Sequence, residues 1–184
     1  DGLVRYDPQE ARRLLAEAGY PNGEGLPTLS ILYNTNENHR IIAQFVQDQW
    51  QLELGIEVEL INQEWKVYLE TQDNLDYQVS RAGWIGDYMD PDTFLTLWRS
   101  TDQNNDTGWE NAEYDALMHR QLRETGAQRM ETLRQAESLL LGEQVIMPIY
   151  YYSQFHLVDT RVRGWEMNLR DVHLARWISK EEGS

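Results

Sequence analysis

Apolar positions change period several times along the chain, and each change marks an element. After Asp7-Pro8, an N-cap followed by a first-turn proline, Ala11, Leu14, Leu15 and Ala18 recur at helical spacing until Gly19 stops the run. A loop from Tyr20 to Gly25 leads to Leu29–Tyr33, which reads as a strand. His39–Leu54 reads as an amphipathic helix through Ile42, Phe45, Val46 and Trp50, closed by Gly55. Ile56, Val58 and Leu60 then alternate as a second strand. Strand, helix and strand with short links form a βαβ unit, which crosses over right-handed onto a parallel pair. A short helix is expected over Glu64–Gln72 and a strand over Tyr77–Trp84.

Asp90-Pro91 caps a helix over Asp92–Arg99, and a polar loop follows. Asn111 caps another helix carrying Tyr114, Leu117, Met118 and Leu122 on one face. Beyond Gly126, a helix over Ala127–Leu141 repeats the pattern through Met130, Leu133, Ala136 and Leu140. Val145–Tyr152 and Gln154–Val158 read as strands, with Pro148 placing the first at an edge or bulge. From Arg161 onward there is little periodicity. The pattern as a whole predicts one α/β domain with a central mixed sheet, βαβ units and flanking helices.

Composition narrows the partners. Sixteen basic and 31 acidic residues give a net charge of −15, which disfavours nucleic acid and anionic membrane surfaces. The chain has no cysteine, so thiol catalysis, thiolate metal sites and disulfides are excluded. The opening Asp1-Gly2-Leu3-Val4-Arg5 carries no signal-peptide pattern. Seven Trp and ten Tyr beside three Phe favour either a recognition surface or core packing, because both rings join an apolar body to a polar handle.

Signatures for a nucleophilic serine, a phosphate loop, a zinc helix or a dinucleotide site are missing, and no cofactor is expected. The four histidines, His39, His119, His156 and His173, show no ligand spacing, although folding can unite distant ones. Asp102, Asn104, Asp106, Glu110 and Glu113 imitate a calcium loop, but Thr107 stands where the turn glycine belongs and Gly108 comes one place late. A polar, self-capping loop is the simpler reading, and no metal site is assigned.

The informative run is Arg81-Ala82-Gly83-Trp84-Ile85-Gly86-Asp87-Tyr88. Arg81 and Asp87 put opposite charges within about 20 Å on an extended segment, matching the ends of a zwitterionic peptide. Gly83, lacking Cβ, lets another backbone approach. An added strand could pair with the main chain of Gly83 and Ile85, between walls formed by Trp84 and Trp65. Equally, the tryptophans could be core residues, and Arg81–Asp87 an ordinary surface charge pair.

These residues resemble those of the periplasmic oligopeptide-binding proteins, the peptide and nickel class of solute-binding proteins. The likeness runs through Tyr6-Asp7-Pro8, Leu14 to Pro21, Tyr33-Asn34-Thr35 with His39, Leu54-Gly55-Ile56, and Gln63-Glu64-Trp65. It continues through Arg81-Ala82-Gly83-Trp84, Asp87-Tyr88, Asp90-Pro91 and Pro148 to Tyr151. The resemblance implies a receptor that feeds the membrane permease of an ABC importer and has no enzymatic activity. It implies that Asp87 holds a short peptide's α-ammonium group, and that Arg81 and His39 are positive groups for its carboxylate. Trp65 and Trp84 become pocket walls, Asn34 lies at a strand end facing the ligand, and Asn104 and Asn105 belong to a loop reaching the cleft. Gln72 stands where some members carry a basic residue, so the accepted ligand lengths would differ.

On the same resemblance, residues 1–160 form the C-terminal lobe of a longer protein, and 161–184 return to a first lobe not in this chain. An isolated lobe would bind peptides weakly or not at all, and surplus aromatics on its open cleft face would favour self-association. The expected location is periplasmic or otherwise extracytoplasmic, with a lipid anchor on the full-length protein as one form. Other readings are another solute on the same fold (a dipeptide, a murein peptide, a nickel complex), a sensor lobe of a regulator, and a glycoside hydrolase using Asp87 and Asp90.

Overall fold

The computed structural model describes residues 4–168 and 170–181. The opening Asp1–Leu3 and the last three residues of the expected 161–184 segment lie outside that description. Helix α1 (Pro8–Glu17) starts as its sequence requires, with the Asp7 carboxylate accepting from the Glu10 N–H at 3.0 Å. Its predicted stripe is not buried, however, and Leu14 is exposed. Strand β1 (Leu29–Asn34) leads to α2 (Glu37–Leu54) and β2 (Val58–Gln63). The two strands pair in parallel, from Leu29 opposite Val58 to Asn34 opposite Gln63. Helix α2 begins two residues before the predicted His39, because the Asn36 side chain accepts from the N–H groups of Asn38 and His39.

Gly55 ends α2 with φ +69°, and it crosses the loop at Asn22–Gly23 backbone to backbone. A Cβ on Gly55 would lie 2.2 Å from the Asn22 carbonyl oxygen, and one on Gly23 would lie 2.5 Å from the Gly55 oxygen. Helix α3 (Trp65–Asp73) precedes β3 (Val79–Ser80), which pairs in parallel with β1 and gives the order β2-β1-β3. β3 is therefore much shorter than the predicted Tyr77–Trp84. Residues 81–86 leave the sheet without regular structure after one last bond, from the Arg81 N–H to the Leu32 carbonyl.

Two cores support this frame. Ile31, Tyr33 and Ala43 are buried between the sheet and α2, with Val46, Trp50, Val58, Leu60 and Val79 packed on them. Phe45, expected in that stripe, is exposed instead. The second core gathers Leu95 of α4 (Asp92–Leu95) with residues of α5 (Ala112–Gln121) and α6 (Gly126–Gly142). Here Tyr114, Leu133, Ala136 and Leu140 are almost fully enclosed, and the Tyr114 hydroxyl donates to the Leu95 carbonyl at 2.6 Å. A buried polar handle is thus satisfied without leaving the core.

The predicted strands Val145–Tyr152 and Gln154–Val158 do not form. A strand needs a neighbour to accept its ladder, and no described segment pairs with this one. The patternless tail contains a small antiparallel pair instead, β4 (Val162–Arg163) with β5 (Ser179–Lys180). Among the described residues no helix is long and apolar enough to cross a membrane.

Candidate ligand-binding site

Parallel strands bring their carboxyl ends to one edge, and the candidate residues gather there. Asn34 ends β1, Arg81 follows β3, His39 occupies the first turn of α2, and Trp65 opens α3 just after β2. The Arg81 main chain is fixed from two sides. Its N–H donates to the Leu32 carbonyl at 2.8 Å, and its carbonyl accepts from the Tyr68 hydroxyl at 2.8 Å. Its guanidinium donates to the Tyr152 hydroxyl and lies 5.9 Å from the centre of that ring.

His39 Nδ1 lies 2.8 Å from Asn34 Oδ1, so that nitrogen carries a proton and donates. Arg81 Nη1 is 3.4 Å from the same nitrogen. Two donors cannot bond each other, so this contact is repulsive whenever the imidazole is charged. Burial, and then the Arg81 guanidinium, hold the His39 pKa below its ordinary value despite the opposing bond to Asn34. Both shifts disfavour a positive charge on His39 beside the Arg81 guanidinium.

Gly83 is occupied differently from the expectation. A Cβ there would meet the Tyr152 ring at 3.3 Å and an Arg81 terminal nitrogen at 3.4 Å, so the missing side chain makes room for Tyr152. Ala82, Trp84 and Ile85 are exposed on the open segment, Trp65 is exposed, and Trp65 stacks on Tyr68 with ring centres 5.6 Å apart. Neither tryptophan is a core residue. Gln72 is buried and donates to Ser80 Oγ at 3.0 Å, which makes it a support for β3.

Asp87 is exposed, and its carboxylate has no ion pair or hydrogen bond among the described residues. Arg81 likewise has no carboxylate partner among them, so the two are not an internal charge pair. The Asp87 N–H donates to Thr93 Oγ1 at 3.0 Å, tying the residue to α4. Just beyond it, Asp90 receives both terminal nitrogens of Arg129 at 2.6 and 2.8 Å and also caps α4 through the Asp92 N–H at 2.9 Å. Arg129 donates on to Gln121, and Gln121 to Asp92. Through this network α5 and α6 hold the loop that displays Asp87.

The side chains of the polar loop bond mainly within it, and Tyr77 and Glu143 tie it to its surroundings. Asn105 donates to the Arg99 and Trp109 carbonyls, Asn104 donates to Asp102, and the Arg99 guanidinium sits 3.1 Å from Asp102. A cation is thus already supplied where the calcium imitation would need one, and both asparagines organise the loop. Sequence reasoning gave no site role to Tyr152 or its neighbour Tyr150, whose rings lie 4.9 Å apart. Their traces were the tyrosine excess, concentrated at positions 150 to 152, and the family likeness over Pro148 to Tyr151.

Residues 1–106 match the bacterial extracellular solute-binding proteins, family 5 middle part. The chain belongs to that family. Its relatives include the oligopeptide-binding protein OppA of Bacillus subtilis, 41% identical over 166 residues, which cover 89% of this chain and 30% of OppA. The periplasmic murein peptide-binding protein MppA of Escherichia coli is 39% identical over 160 residues, covering 86% of this chain and 30% of MppA. The solved structure of the E. coli murein tripeptide-binding protein superimposes with a TM-score of 0.85 at 36% identity, over 96% of this chain and 35% of that one. The expected periplasmic-binding-protein-like α/β lobe is therefore established, although among the described residues its central sheet is parallel throughout rather than mixed. The chain spans about 30% of the length of these curated relatives. The family consists of extracytoplasmic solute receptors.

Proposed function

We propose that this chain forms one wall of an ABC importer's solute receptor and holds a short, extended peptide by its termini and backbone. The supporting observation is that Arg81 and Asp87 stand six residues apart at the two ends of a segment outside the sheet, beyond an edge strand, each without an ionic partner among the described residues. A zwitterionic peptide lying along β3 would bring its ammonium to Asp87 and its carboxylate to Arg81. The main chain at Gly83 and Ile85 would supply the added-strand pairing, with Trp84 and Trp65 beside the ligand's side chains. Among the relatives, Haemophilus influenzae OppA has been solved in complex with the peptide RPPGFSPFR. In this reading the protein is periplasmic or lipid-anchored, delivers its ligand to a membrane permease, and has no catalytic role. The glycosidase alternative needs a carboxyl held protonated, whereas the Arg129 bonds hold Asp90 below the usual carboxylate range.

The same reading has the exposed run 145–158 and the tail from residue 161 facing the rest of a longer protein. In a version spanning the relatives' length, calorimetry with tri- to pentapeptides tests the central contact. Asp87→Ala should weaken binding by about a hundredfold, because it leaves an enclosed ammonium unpaired. Acetylating the peptide's amino terminus should do the same to the unaltered protein. Unchanged affinity in both experiments would remove the proposal. Relatives named for dipeptides and murein peptides favour the same face holding another solute, and mass spectrometry of co-purifying ligand separates the cases.

A further inference from the structure

The tail brings two of the scattered histidines together. His156 Nε2 lies 2.7 Å from Asp171 Oδ1, and His173 Nε2 lies 2.8 Å from the same oxygen. The ring centres of His156 and His173 are 5.4 Å apart, and their planes diverge by 75°. Two imidazole nitrogens and one carboxylate oxygen therefore converge, with His156 coming from a segment 15 residues before Asp171 and His173 lying two residues after it. No other group of three or more His, Asp or Glu side chains among the described residues converges in this way.

Hydrogen bonding accounts for only half of the cluster. His173 makes a well-directed bond to Asp171, but His156 Nε2 is shielded from solvent and has no properly directed partner. Leaving such a nitrogen unmatched is costly unless something else occupies its lone pair. The surroundings are also built. Trp165 stacks on His173 at 3.7 Å and 15° and presents its edge to His156 at 5.3 Å, so both rings are held in place. Asp171 has φ +50°, a strained conformation for a residue with a side chain. Asn168 fixes that turn: its carbonyl accepts from the Asp171 N–H, its side-chain oxygen accepts from the Val172 N–H, and its amide donates to the Val172 carbonyl. A strained carboxylate whose supporting turn is bonded on both sides fits a placed ligand better than an incidental surface acid.

We infer that His156, Asp171 and His173 form a binding site for a divalent transition ion of the zinc type. Two neutral imidazoles and one carboxylate suit such an ion at about 2.0–2.2 Å from each ligand atom, with a remaining position for water. The all-oxygen sites preferred by calcium and magnesium are chemically different. The ion would join the end of the extended run 145–158 to the tail, two segments that no apolar core holds together. The site shares no residue with the candidate peptide face.

The test uses the whole chain, freed of metal with a chelator and then titrated with zinc against a chromophoric competitor in millimolar magnesium. One tight equivalent per chain is expected. Asp171→Asn removes the anionic ligand while keeping a residue that tolerates the left-handed backbone, and His173→Gln removes an imidazole. Each should lower affinity at least tenfold, since even outer partners of metal ligands are worth about 10–100-fold. His119→Gln should change nothing. Independently of any variant, cobalt(II) should shift the NMR ring signals of His156 and His173 and spare those of His39 and His119. Absence of a stoichiometric zinc equivalent, retention of affinity in both ligand variants, or cobalt shifts at His39 or His119 instead would overturn the assignment.

Discussion

Residues 112–142 and residues 145–158 are both rich in apolar side chains, yet the first stretch closes a core while the second, past Val145 and Ile146, leaves most of its own uncovered. In α5 and α6 each helix offers the other an apolar face, and Leu133, Ala136 and Leu140 disappear into the core beside Tyr114. In 145–158 the alternation is that of a strand, but Tyr151, Phe155 and Leu157 are essentially fully exposed. Helices satisfy their own backbone bonds, so two of them can close a core locally. An extended segment must borrow both its hydrogen bonds and its cover from elsewhere. Apolar content alone therefore does not say whether a segment will be packed.

That contrast can be broken by experiment. Leu133→Ala should cost about 3 kcal/mol of stability in urea unfolding of the chain, because it leaves a cavity in a closed core. A loss under about 1 kcal/mol would mean that the helical half is no better packed than the extended run. A smaller effect is expected at the Asp90–Arg129 pair, which fastens the Asp87 loop to the helical half. Asp90→Asn should cost about 1–2 kcal/mol near neutral pH. The Asp90 pKa is depressed in the folded chain, first by the Arg129 hydrogen bonds, relative to its ordinary 3.8. The stabilisation is therefore fully present above pH 3.8 and fades as pH falls through the lower folded value. Unfolding curves of chain and variant should converge in that acidic range, and a constant gap down to low pH would exclude the pair as its source. Least affected should be Leu157→Ser, within about 0.5 kcal/mol, as for any uncovered side chain. A loss above 1 kcal/mol would show that the run is covered in solution.

The sequence carried the βαβ unit clearly because Leu29–Tyr33, Gly55 and Val58–Leu60 mark their own boundaries by local rules. Helix starts were legible wherever a cap was, and the error at His39 came from overlooking Asn36. Phe45 has the right spacing for the stripe, but the sheet beneath α2 is only three strands wide and covers Ala43, Val46 and Trp50 instead. Arg81 and Asp87 stand out because a strand end and flanking glycines frame them and Asn34 because it ends a strand, whereas only the family resemblance singles out His39. Tyr152 on Arg81, and the approach of His156 to His173, depend on where a segment without regular structure runs. No periodicity encodes that path.

The crossing of Gly23 and Gly55 has a consequence for variation at these two sites. Each position is shut by the main chain of the other loop, and both need a left-handed backbone, so a compensating change at one cannot rescue a side chain at the other. A saturation library should therefore return glycine at both positions independently, with no tolerated pairs, while the neighbouring Glu24 and Glu57 drift freely.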